Sequence, residues 1–76
     1  MSKLNNNSHI LIYKFVKSEL QYLIDNCNFT DEELQYFTLK SRNNSNGFIA
    51  DELNVSSSKV SIIAKNVKSK ISKVLT

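Results

Sequence analysis

The sequence predicts an all-α fold: four helices packed in one small domain. Three observations carry that expectation. The chain has 76 residues, no proline and a single glycine, Gly47, so few positions force a helix to break. No stretch alternates apolar and polar residues cleanly, as a half-buried strand would. Helix-start signals recur instead, each a capping residue followed by apolar residues three and four apart. A chain this short buries only about 60% of its unfolded surface. Its core is therefore thin, and a homodimer interface would supplement it.

Residues 1–7 are polar and read as a frayed tail, and residues 8–76 form the domain. The first helix is expected over about residues 9–25, with Ser8 as its N-cap. On an ideal helical wheel Lys14, Lys17, Ser18, Gln21 and Asp25 share one narrow polar face. Leu11, Ile12, Tyr13, Phe15, Val16, Leu20, Tyr22, Leu23 and Ile24 cover most of the rest. So wide an apolar arc suits a helix buried between neighbours, or one that also packs on a second subunit. Residues 9–25 are accordingly the expected surface of any homodimer.

The second helix has the clearest start. Thr30 is an N-cap and Glu33 follows three residues later, the pattern of a capping box. Phe29 before the cap is placed to pack on Leu34 as a hydrophobic staple. Asp31, Glu32 and Glu33 lie in the first turn, where the helix dipole favours negative charge. Leu34, Phe37 and Tyr36 are the expected core residues. A polar loop, residues 41–46 (SRNNSN), follows. The third helix is short, about 46–53, capped by Ser45, with Ile49, Ala50 and Leu53 inward. Gly47 within it costs about 1 kcal/mol relative to alanine. Asn54 then ends the helix in a left-handed conformation, which asparagine tolerates where glycine is absent. Ser56 caps the fourth helix, about 57–75, and Val55 is placed to staple onto Val60. Val60, Ile63, Ala64, Val67, Ile71, Val74 and Leu75 fall within roughly 120° of arc at 100° per residue.

Charge is unevenly distributed. The net charge is +3. From Asn54 to Thr76 there are five lysines (Lys59, Lys65, Lys68, Lys70, Lys73) and no acid. From Ser18 to Leu53 there are seven acids against only Lys40 and Arg42. A basic end of this kind is the electrostatic footprint expected for a polyanion.

Other function classes find little support. Cys27 is the only cysteine, so no intrachain disulfide forms, and it reads as a small semi-buried apolar residue. The only histidine, His9, stands beside the frayed tail. No Cys/His/Asp cluster and no glycine-rich phosphate loop is present, so neither catalysis nor a metal or cofactor is expected. The apolar run Ile10–Tyr13 is too short to span a bilayer, and nothing resembles a signal peptide. The expected setting is the cytoplasm, in association with the nucleoid.

The third and fourth helices carry the motif. A helix-turn-helix needs a small residue in its first helix, because a larger one would hold the helices apart, and an apolar residue in the turn to plug the corner. Ala50 and Val55 fill those roles, and Val60 and Ile63 supply the inner face of the second helix. The stretch from Phe29 to Ile71 resembles the tetrahelical helix-turn-helix shared by region four of bacterial sigma factors and the LuxR-type regulators. The matching pieces are Phe29-Thr30-Asp31-Glu32-Glu33, then Ile49-Ala50-Asp51-Glu52-Leu53-Asn54-Val55-Ser56, then Lys59-Val60, then the spaced Lys68 to Ile71. The resemblance implies a tri- or tetrahelical helix-turn-helix domain, with the motif at about 45–72 and an extra N-terminal helix. It also implies that residues 57–69 enter the major groove of double-stranded DNA, as a small bacterial or phage transcriptional regulator would. A full sigma factor and a LuxR-type receiver or ligand domain are absent from the chain.

Residue chemistry adds to this. Ser57, Ser58 and Lys59 open the fourth helix, where backbone N–H groups attract phosphate. Ser61, Ile62, Lys65, Asn66 and Ser69 are expected on its exposed face. Lysine reaches guanine O6/N7 and asparagine pairs with adenine N6/N7. Lys68, Lys70 and Lys73 are expected to meet phosphates. Ile62 is open to three readings: a thymine-methyl contact, a protein contact, or an incidental exposed residue. The alternative function is that of a protein module mimicking sigma region four, which binds RNA polymerase or a sigma factor. The acidic middle of the chain and Ile62 favour that alternative.

Overall fold

The structure, a computed structural model, describes residues 10–75. It is all-α, and no strand occurs among these residues. A 3-10 turn at Ile12–Lys14 leads into α1 (Lys17–Cys27), α2 (Asp31–Ser41), α3 (Asn46–Leu53) and α4 (Ser57–Leu75). The long α4 is the spine, packing against α1, α2 and α3, while the 3-10 turn packs on α2. The core gathers Ile12, Leu23, Cys27, Tyr36, Phe37, Ile49, Ala50, Val60, Ile63, Ala64, Val67 and Ile71, drawn from every element.

The capping chemistry explains where the helices start. At α2 the Glu33 N–H donates to Thr30 Oγ1 (3.2 Å), and the Thr30 N–H donates to Glu33 Oε1 (3.0 Å), a complete capping box. Ser45 Oγ accepts the Phe48 N–H (3.1 Å) at α3, and Ser56 Oγ accepts the Lys59 N–H (3.1 Å) at α4. Asparagine supplies the bends that glycine would normally supply. Asn28, Asn43 and Asn54 all adopt positive φ, between 54° and 63°, and Gly47 does not. At Asn54 (φ 57°, ψ 47°) the chain forms a Schellman motif. The Val55 N–H donates to the Ala50 carbonyl (3.0 Å) and the Asn54 N–H to the Asp51 carbonyl (3.2 Å). Two helix-end carbonyls are thereby satisfied, and the chain turns within three residues.

Several expectations need correction. The helix expected over 9–25 is not continuous among the described residues. Phe15 and Val16 are extended, with ψ near 140° and 167°, and they separate the 3-10 turn from α1. The segment from Ile10 to Val16 is rich in β-branched and aromatic residues, which lower helix propensity. The Val16 N–H donates to Glu19 Oε1 (2.9 Å), which stabilises a fresh helix start at Lys17. The break lets Ile12 turn into the core and takes Lys14 off the polar face of α1. Leu11, Tyr13 and Val16 are exposed around the break, and Tyr22, expected on the apolar arc, is exposed within α1. The helix then continues past Asp25 to Cys27, where left-handed Asn28 ends it. The expected Ser8 cap, the frayed tail at residues 1–7 and His9 lie outside the described residues.

In α2 Tyr36 and Phe37 are buried, whereas Leu34 is only half-buried. The Phe29 ring packs at a tilt on Phe37, with centroids 5.0 Å apart. Cys27 is buried, and burial pushes its thiol pKa up. The α4 stripe is buried as expected through Ile71, with Val74 half-buried, but Leu75 is 51% exposed. It lies in the last turn of α4, at the edge of a groove shared with Phe15, Tyr22 and Leu23.

Candidate nucleic-acid interface

The basic helix divides into two unlike faces. One face carries Val60, Ile63, Ala64, Val67 and Ile71 into the core. This burial fixes the rotation of α4 and so decides what its other face presents. Ser57, Ser58, Lys59, Ser61, Ile62, Lys65 and Asn66 are all exposed. They occupy the N-terminal half of the helix, directly after the Asn54–Ser56 corner. The first-turn N–H groups point out of this end, and the dipole makes it positive. Lys65 has no ion pair and no hydrogen bond among the described residues. Ile62 is 56% exposed in the middle of this polar face.

The C-terminal half of α4 is more committed. Lys68 and Ser69 are half-buried, and Lys73 is exposed. Lys70, expected to meet phosphate, is drawn inward. Its ammonium donates to Glu33 Oε1 and to the Asn28 carbonyl (3.1 Å), tying α4 to the start of α2. Glu33 is a buried carboxylate, 8% exposed. Burial pushes its pKa up, but the Lys70 ammonium and the Thr30 hydrogen bonds outweigh that and hold it below the usual carboxylate value. The side chain therefore has two roles, as half of a capping box and as half of an interhelix ion pair. Lys59 is partly engaged as well, 3.7 Å from Glu32 with both side chains well exposed. Such an exposed pair contributes little stability and leaves the ammonium available.

One cation escaped the sequence reading. Lys40, at the end of α2, donates to the Asn44 carbonyl (3.2 Å) and to Asn46 Oδ1 (3.0 Å). It thereby pins the loop that leads into α3. Its ammonium pKa is pushed down, first by burial and then by the neighbouring charge of Lys68. Lys40 thus joins the positive field of α4 although it stands in the acidic part of the sequence. Nothing local marks this, because the pairing is set by how α2 crosses α4.

Among the described residues no three His, Cys, Asp or Glu side chains are placed to hold a metal ion, and no helix is long and apolar enough to cross a membrane. The chain matches no protein-family model, no curated protein and no solved structure.

Proposed function

We propose that this chain is a helix-turn-helix domain that binds double-stranded DNA through the exposed N-terminal half of α4, acting as a small transcriptional regulator. The observation that carries this reading is the face formed by Ser57, Ser58, Ser61, Lys65 and Asn66, which is exposed, free of acids and set just after a tight corner. A helix of this diameter fits the major groove, and its polar side chains match base edges there. Lys65 and Asn66 read bases, and Ile62 lies against a thymine methyl. Lys59, Lys68 and Lys73, with the Ser57 and Ser58 N–H groups, meet phosphates. Lys40 adds to the attraction from the side. Lys70 is assigned no DNA contact, because its ammonium is spoken for by Glu33 and Asn28.

The test is selection of bound duplexes from a random pool, followed by titration at several salt concentrations. Binding should weaken with salt at a log–log slope of about −0.9 per phosphate contact. Lys65→Ala should weaken binding and alter sequence preference, whereas Lys68→Ala should weaken all sequences alike and reduce the slope by about one contact. Absence of duplex binding at low salt would refute the reading. The exposure of Ile62 also fits a second reading, a module that binds RNA polymerase or a sigma factor. Recovery of polymerase by the full chain, with no binding to any duplex, would select that reading.

A further inference from the structure

We infer that the groove between α1 and α2 is a docking site for an acidic amphipathic helix of a protein partner. The groove has a volume of about 440 Å³. Its apolar floor is made by Leu20, Ile24 and Phe37, and Lys17 and Arg42 stand on its rim. Both rim cations are exposed, and neither side chain has an ion pair or hydrogen bond among the described residues. No acid lines the groove. The carboxylate of Asp25, one turn from Gln21, is already held by the Gln21 amide at 2.9 Å.

Lys17 is the more informative of the two. It is the first residue of α1, where the positive end of the helix dipole disfavours a cation. Local helix energetics therefore do not account for it, and no partner within the described chain offsets it. Arg42, by contrast, follows the last residue of α2, where the dipole favours a cation. Together they make a positively charged rim over an apolar floor. The complementary occupant brings apolar residues on one side and carboxylates on the other. The lining residues run from Lys17 to Ile24 on α1 and from Phe37 to Arg42 on α2, about 12 Å and about 9 Å of helix at 1.5 Å per residue. That length suits about two turns of a helix with apolar anchors at i, i+3 or i+4, and i+7. A nucleic acid brings the charge but no apolar ridge for the floor. No residue of α4 lines the groove. The site is thus separate from the proposed DNA-reading face and stands or falls independently of it.

The experiment titrates the 15N-labelled full chain with a synthetic peptide of about 14 residues, carrying leucines three and four apart and glutamates elsewhere. A control peptide replaces every glutamate by lysine. The expected result is saturable binding, with shift changes at Leu20, Gln21, Ile24, Thr38 and Ser41, and at least about tenfold weaker binding of the control. The double variant Lys17→Glu, Arg42→Glu should bind the acidic peptide at least about tenfold more weakly. Its far-ultraviolet circular dichroism should be unchanged, because both positions are exposed. No saturation near 1 mM, equal affinity for the two peptides, or insensitivity to the double variant would overturn the inference. Shift changes confined to Ser61–Asn66 would also overturn it, since they would reveal simple capture of a polyanion by α4.

Discussion

Lys65 and Lys70 stand five residues apart on one helix, in one acid-free run, and the fold gives them opposite work. Lys65, in the first half of α4, extends into solvent with no partner among the described residues. Lys70, in the second half, reaches back to the capping box of α2. The difference is one of rotation. A step of five residues turns the helix by about 140°, enough to move a side chain from the open face to the seam between helices. A run of like charge is therefore not one surface. Part of it faces solvent, and part of it holds together the scaffold that presents the rest.

The largest expected effect comes from breaking the inward half. Lys70→Ala leaves the Glu33 carboxylate buried without its cation, at a cost on the order of 2 kcal/mol. For a domain this small that lowers Tm by roughly 10 °C. Lys65→Ala should stay within about 0.5 kcal/mol of wild type. Thermal melts of the two variants compare them directly, and equal melting temperatures would show that the two lysines are not distinguished.

A test of nearly the same size uses pH. Glu33 titrates lower in the folded chain than in the unfolded one. Its contribution is therefore full above the ordinary value of 4.5 and is lost as pH falls through the folded value. Melts between about pH 5 and pH 3 should show wild type losing stability more steeply than Glu33→Gln, which has no proton to gain. Parallel curves would mean that the Glu33–Lys70 pair contributes nothing to folding.

The corner that aims the outward half is tested by Asn54→Val. A β-branched residue in the left-handed conformation costs about 1–2 kcal/mol, whereas Asn54→Gly should be close to neutral. Urea unfolding separates them, and an equal midpoint for both would contradict the role given to Asn54. The smallest effect is expected at Lys59, which belongs partly to each half. Loss of its exposed contact with Glu32 should change stability by less than about 0.5 kcal/mol, while duplex affinity falls.

The contrast also shows what could be read beforehand. Caps are local, so the starts of α2, α3 and α4 follow from Thr30 with Glu33, from Ser45 and from Ser56. The left-handed turn at Asn54 is local too, since few residues other than glycine tolerate it. The stripe of α4 is periodic, and its burial fixed the open face bearing Ser61, Ile62, Lys65 and Asn66. The break at Phe15–Val16 was only faintly legible, in the β-branched and aromatic residues before it and in Glu19 three residues after Val16. No glycine or proline marks it, and the apolar run around it reads equally well as a continuous helix. The Glu33–Lys70 tie spans 37 residues of sequence, and each partner already had a sufficient local explanation. Lys40 beside Lys68, and Lys17 facing Arg42 across a groove, likewise depend on how helices cross.

The most direct measurement is 15N NMR of the full chain titrated with a selected DNA duplex. The largest shift changes should fall on Ser57 to Asn66, with smaller ones at Lys68 and around Lys40, while the Lys70 ammonium keeps its link to Glu33. Changes confined to α1 and α2, or none at all at low salt, would contradict the role given to α4.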